Sequence, residues 1–162
     1  MSFSSDLQAS NVQVQKLVEQ FKEYFPGEIT ILDIKEYDIL LSQTITYGSV
    51  QVNKELSFEI KDERRMSGKT GNHFLEIESR GEPSGISTTQ SDYWVIQITD
   101  DIILTIPTKE MVRFLSKTYR TVSGGDMNTS KGILVPIKDI INNKQCLVFY
   151  GQKPNIKNTP NS

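Results

Sequence analysis

Residues 56–61 read Leu56-Ser57-Phe58-Glu59-Ile60-Lys61. Apolar and polar residues alternate with a period of two, which fits a strand and not a helix. In a strand, Leu56, Phe58 and Ile60 face one side while Ser57, Glu59 and Lys61 face the other. The run therefore commits the chain to a sheet that buries one face and carries a carboxylate and an ammonium side by side on the opposite one. Upstream, Asp38 opens a second short apolar run, Asp38-Ile39-Leu40-Leu41.

Periodicity and punctuation organise the rest. Val14, Leu17, Val18, Phe21 and Phe25 recur at helical spacing between Asn11 and Phe25. Ser10 or Asn11 can cap that helix, and Pro26-Gly27 ends it. Strands are expected at 28–34, 37–41, 55–61, 73–78, 92–98, 102–106, 132–137 and 145–150, with a hairpin at Gly48 and a turn at Asp100-Asp101. A second helix is expected from Thr108 to about Tyr119. Residues 62–71 read as a charged loop, 79–91 as irregular with a helical turn near Thr88, and 120–131 as a glycine-containing loop. Residues 1–9 read as frayed, and the Asn/Pro/Lys-rich tail 151–162 as disordered. The fold class this implies is α/β or α+β, a single domain over 1–150 with a mixed central β-sheet flanked by helices.

At 162 residues the chain is long enough for one ordinary core. Its formal net charge of -2 argues against nucleic-acid binding by bulk charge alone. The single Cys146 rules out an internal disulfide and a multi-cysteine zinc site, and the single His73 rules out a histidine-rich metal site. No apolar stretch approaches membrane-span length and no signal peptide is visible, so a cytoplasmic protein without a membrane partner is expected. Gly68-Lys69-Thr70 is not the end of a phosphate-binding loop, because Glu63 stands where that loop needs glycine.

An acid at the start of one strand, followed by Glu-x-Lys at the end of the next, resembles the PD-(D/E)XK nuclease superfamily with its restriction-endonuclease-like fold. The resemblance extends through Thr70-Gly71-Asn72-His73-Phe74-Leu75-Glu76, Arg80 to Ile86, Thr88 to Trp94, and Gly124-Gly125-Asp126 before a Leu-Val-Pro strand. In these segments the chain is similar to a group of small phage-type and environmental members. Tyr37 precedes Asp38 where the family's name has proline.

The resemblance implies a metal-dependent endonuclease that hydrolyses DNA phosphodiester bonds, of homing, restriction or junction-resolving type. Asp38 and Glu59 would hold Mg2+ or Mn2+ with the Ile60 carbonyl as a third ligand, and Lys61 would orient the attacking water. Magnesium takes hard oxygen ligands and keeps several waters. Two carboxylates about 4 Å apart repel by roughly 4 kcal/mol at an effective dielectric of about 20, a penalty that a bound cation removes. The plainer alternative is a solvent-facing Glu59/Lys61 pair on an edge strand. A chain this short has little room for a recognition domain, so a homodimer or higher homo-oligomer is a natural way to cut two strands. The rival class is a non-catalytic DNA-binding or structural protein that retains the nuclease fold.

Around this centre stand further candidates. Glu76 is taken as an extra metal-shell acid on a strand adjoining the Glu-x-Lys strand, with Glu78 and Asp62 behind it. Gln90 resembles the family's accessory polar residue. Glu19 falls on the far side of the first helix's apolar stripe, and Gln15 on its flank. Arg64, Arg65 and Lys69, in the loop after Lys61, are DNA-contact candidates, as is Arg80. Lys109, Arg113, Lys117 and Arg120 form a basic stripe on the second helix, read first as a solvated face. Tyr93, Trp94 and His73 are assigned to structure.

Overall fold

The computed structural model describes residues 28–31 and 38–150, together with Gln15, Val18 and Glu19. Those three positions are helical, as the periodicity of 11–25 predicts, and Val18 is buried. The remainder of that helix, residues 1–9 and the tail 151–162 lie outside the described residues.

The chain is a mixed α+β fold with two sheets rather than one. Strands β1 (Glu28–Ile31), β2 (Ile39–Tyr47), β3 (Val50–Asp62), β6 (Tyr93–Gln97), β7 (Ile102–Pro107) and β10 (Leu147–Tyr150) make a six-stranded sheet in the order β1-β2-β3-β6-β7-β10. Every neighbouring pair in it is antiparallel except β3 and β6, which run parallel. A second, antiparallel sheet has the order β5-β4-β9-β8, from β4 (Asn72–Ser79), β5 (Glu82–Pro83), β8 (Thr121–Gly124) and β9 (Ser130–Pro136). The expected single central sheet is thus corrected: β4 follows β3 in sequence but pairs with β9. The helices are short: α1 (Ser67–Thr70), α2 (Thr108–Phe114) and α3 (Ile137–Ile141).

Two apolar cores explain this layering. Leu75, Ile133 and Val135 from the four-stranded sheet meet Trp94, Ile96, Leu104 and Ile106 from the six-stranded one, with Met111, Phe114 and Ile140 from α2 and α3. On the other face of the larger sheet, Ile39, Leu41, Phe58, Val95 and Ile103 gather under Val18. A strand buried on both faces needs a continuous apolar run rather than alternation. Strand β6 has one in Trp94-Val95-Ile96, all with no exposed surface. Burying a leucine- or isoleucine-sized side chain contributes about 1.5–3 kcal/mol each, so the centre of β6 and β7 is where the fold is most strongly held.

Helices α2 and α3 each start directly after a strand-ending proline, Pro107 and Pro136. Proline has no N–H for the ladder, and its fixed φ suits the turn into a helix. The second helix is shorter than expected, ending at Phe114. Lys117 and Arg120 therefore lie beyond it, and the basic stripe reduces to Lys109 and Arg113. Arg113 pairs with Glu110 at 2.7 Å, and Lys117 sits over the Phe114 ring at 4.8 Å. Residues 121–124, expected in a loop, form edge strand β8. Glycine reads as a loop residue, yet Gly124 ends β8 and Gly132 lies within β9. A Cβ on either would meet the Phe74 ring, at 3.1 Å for Gly124 and 2.7 Å for Gly132.

Candidate functional site

The β2/β3 hairpin pairs Ile39 with Phe58, so Asp38 stands at the open end of β2 across from Glu59. Its backbone N–H donates to the Phe58 carbonyl at 2.9 Å, and its carboxylate Oδ2 accepts from the Ile60 N–H at 2.6 Å. The Asp38 side chain thus extends the hairpin ladder by one step, alongside the Glu59-Ile60-Lys61 backbone. Asp92 makes a similar contact from the other flank of β3, where its Oδ2 accepts from the Ser57 N–H at 2.8 Å and the Ser57 hydroxyl at 3.1 Å.

Glu59 pairs with Trp94 and Lys61 with Ile96 in the parallel β3/β6 register. Leu56, Phe58 and Ile60 turn into the core under Val18, so Glu59 and Lys61 turn toward the face that the second sheet covers. Glu59 is 8 % exposed. Its Oε1 accepts from Lys61 Nζ at 2.5 Å, and its Oε2 lies 3.4 Å from the Thr89 hydroxyl. Lys61 Nζ stands 5.2 Å from the centre of the Trp94 ring, close enough for a cation–π attraction. A solvent-facing pair on an edge strand is therefore ruled out. Strand β3 lies between β2 and β6, and Glu59 is buried.

The structure brings Asp38, Glu59, Ile60 and Lys61 together, and it separates several other candidates from them. Glu76 is on β4, in the other sheet. Leu75 and Ile77 both contribute to the core, which turns Glu76 outward, where its Oε1 accepts from the Ser84 hydroxyl at 2.7 Å. Glu78 pairs with Lys131 at 2.7 Å. Gln90 is exposed and lines a cavity of about 540 Å³ with Asp92, Thr108 and Lys109. Its neighbour Thr89 is the residue that reaches Glu59. Gln15 and Glu19 are exposed.

The basic candidates do not form one surface. Arg64 is held by Asp62, through Nη2 at 2.7 Å and Nε at 2.9 Å, and by Asp100 at 2.5 Å. Those hydrogen bonds hold the guanidinium even more firmly protonated than usual, and they keep the Asp62 carboxyl below the ordinary carboxylate range. Arg64 is thus an ion-paired anchor between the end of β3 and the β6–β7 turn, not a free phosphate contact. Arg65 and Lys69 are exposed. Arg80, also exposed, sits with φ 54° in the β4–β5 turn. It lies one strand length, roughly 25 Å, from Lys69 at the other end of β4.

A chain that the spacing does not reveal runs behind Lys61. Glu63 Oε1 lies 2.8 Å from His73 Nδ1, and the Trp94 Nε1–H donates to His73 Nε2 at 3.1 Å. Indole nitrogen is only a donor, so Nε2 is the bare acceptor and the proton sits on Nδ1, pointing at Glu63. His73 and Trp94 have no exposed surface. Both are structural, as expected, but they are linked to the candidate site.

Asp38 and Glu59 offer hard carboxylate oxygens, and such donors, with the Ile60 carbonyl that the resemblance implies, would suit Mg2+ or Mn2+ better than a softer metal. Among the described residues, no group of three or more His, Cys, Asp or Glu side chains gathers as a metal cage. Any ion here would keep several waters. A second groove, of about 720 Å³ and lined by Met66, Phe74, Val122, Leu134 and Arg120, involves residues of β4, β8 and β9 and none of the four clustered site residues. No helix among the described residues is long and apolar enough to cross a membrane. Comparison with protein-family models, with curated proteins and with solved structures returns no match for this chain.

Proposed function

We propose that the chain is a Mg2+- or Mn2+-dependent endonuclease of restriction-endonuclease-like type, acting on DNA through Asp38, Glu59 and Lys61. The observation that carries this reading is the hydrogen bond from Ile60 N–H to the Asp38 carboxylate. It ties an acid at the start of one strand to the backbone between Glu59 and Lys61 on the next, and two-carboxylate phosphodiester chemistry uses acids on neighbouring strands. A divalent ion held there would lower the pKa of a bound water and stabilise charge on the leaving oxygen. Lys61, beside Glu59, would orient that water. The β2/β3 hairpin adds a feature of shape. Beyond Ser42 and Glu55 it continues, among the described residues, as a two-stranded ribbon, and such a ribbon fits a DNA major groove. A homodimer would supply the second cutting site.

One observation favours the rival, a non-catalytic DNA-binding or structural protein. Glu59 is already neutralised by Lys61 at 2.5 Å, as in a structural ion pair. The test is nicking of supercoiled plasmid and cleavage of branched DNA in EDTA, Mg2+ and Mn2+, with Lys61→Ala alongside. Metal-dependent cleavage that falls roughly 10²–10⁴-fold in Lys61→Ala supports the nuclease. Full activity in EDTA, or an unaffected variant, rejects it.

A further inference from the structure

We infer that the buried chain Glu63–His73–Trp94 positions the Lys61 ammonium against Glu59, making His73 a positioning residue of the candidate site that acts through the indole. The inference rests on Lys61 being a site residue, but its geometry stands without any metal or DNA. Each link is directional. The Glu63 carboxylate accepts from His73 Nδ1–H at 2.8 Å, which fixes the tautomer and leaves Nε2 bare. Nε2 then accepts the indole N–H at 3.1 Å, which fixes the rotation of the Trp94 ring. The ring face holds the ammonium at 5.2 Å from its centre. The ammonium in turn reaches Glu59 Oε1 at 2.5 Å.

The chemistry explains why a histidine stands at the hinge. An apolar residue in place of His73 would leave the indole N–H and one Glu63 oxygen without those partners, and the ring would lose the one hydrogen bond that sets its tilt within the core packing. A change in that tilt moves the ring face from beneath the ammonium. A lysine side chain has four rotatable bonds and a third of this one is exposed, so with the ring face shifted the ammonium would spend more of its time in solvent, although Glu59 still attracts it. Glu63 directly follows β3, and its N–H donates to the carbonyl of Gln97 on β6 at 3.0 Å. The relay therefore starts one residue past β3, ends on β3 and passes through both sheets.

The chain contains one tryptophan, so its fluorescence reports on this junction alone. The experiment compares the parent protein, His73→Leu and His73→Gln by two readouts without metal or DNA. One is Trp94 emission. The other is the acylation rate of Lys61 by acetic anhydride, which transfers its acetyl group to the amine and releases acetate, mapped by peptide mass spectrometry with Lys131 as internal control. In His73→Leu the Lys61 rate is expected to rise roughly threefold, the size of an exposed cation–π contact, with Lys131 unchanged. In His73→Gln the amide oxygen can still accept the indole N–H, and the rate should return toward the parent value. A folded His73→Leu variant that labels Lys61 at the parent rate overturns the inference.

Should His73→Leu fail to fold, nuclear magnetic resonance on the parent protein decides. The Lys61 ε-methylene protons should show an upfield ring-current shift, and His73 should carry its proton on Nδ1. An unshifted Lys61 signal or a protonated Nε2 overturns the inference. Because neither readout involves metal or cleavage, a seated Lys61 in a protein that binds no metal would reject the nuclease reading and leave this one standing.

Discussion

Lys61→Ala removes the ammonium that faces a buried carboxylate, and its cost can be worked from the geometry. Two unit charges at the 2.5 Å separation of Lys61 Nζ and Glu59 Oε1 attract by roughly 7 kcal/mol at an effective dielectric of about 20. Most of this is cancelled by the water both groups gave up. Breaking a fully buried pair costs about 3–5 kcal/mol, mainly through the charge left behind. Here Glu59 is 11 % exposed at its side chain and Lys61 33 %, so solvent screens the pair and the expected loss falls to about 1–2 kcal/mol. The assay is urea unfolding followed by Trp94 fluorescence, in EDTA and then with Mg2+. A divalent ion would replace the missing positive charge. Metal should therefore stabilise Lys61→Ala more than the parent, in which the ammonium competes for the same oxygen. At a hundred times its dissociation constant a ligand stabilises by about 2.7 kcal/mol, well within detection. A variant as stable as the parent in EDTA would refute the claim that Lys61 is the countercharge of a buried Glu59.

Three further outcomes are expected. Gly132→Ala places a Cβ 2.5 Å from the Leu75 carbonyl, so it should destabilise by about 1–3 kcal/mol in the same unfolding assay. The Asp62 carboxyl is held below its ordinary value of 3.8, chiefly by hydrogen bonding to Arg64. Its contribution to stability is present above about that pH and is lost as pH falls through the depressed value. Asp62→Asn should thus weaken the fold at neutral pH and flatten the acid limb below pH 4, as followed by circular dichroism. For DNA, Arg65→Ala and Lys69→Ala should each lower the salt slope of binding by roughly 0.9 per lost phosphate contact on duplex, whereas Arg64→Ala should act mainly on stability because its guanidinium is occupied by Asp62 and Asp100.

What the sequence revealed was local. The alternation at 56–61 places Glu59 and Lys61 on one face of a strand, because side-chain period depends only on backbone geometry, and the strand expected at 92–98 is present as β6. What it hid was non-local pairing. Glu76 was assigned to a neighbour of β3 on the reasonable ground that consecutive strands usually pair, yet β4 joins β9 more than fifty residues later. The Arg64 contact with Asp100 spans 36 residues, and no charge pattern within the loop foretold that it was already occupied. The Thr89 contact to Glu59 was likewise invisible, since it depends on where the 3₁₀ turn at Gly85–Ser87 delivers the chain to β6. Helix α3 was missed although its signal was present. Pro136 followed by Ile137-Lys138-Asp139-Ile140-Ile141 has the same strand–proline–helix form as Pro107 and α2.

The most direct test of the Asp38/Glu59 centre is Mn2+ binding, measured by electron paramagnetic resonance titration on the parent protein, Asp38→Asn and Glu59→Gln. One ion per chain in the parent, competed by Mg2+ and weakened at least tenfold in both variants, is the expected result. Absence of saturable binding in the parent, or binding that survives both substitutions, would contradict the metal site and leave the Glu59–Lys61 pair as a structural one.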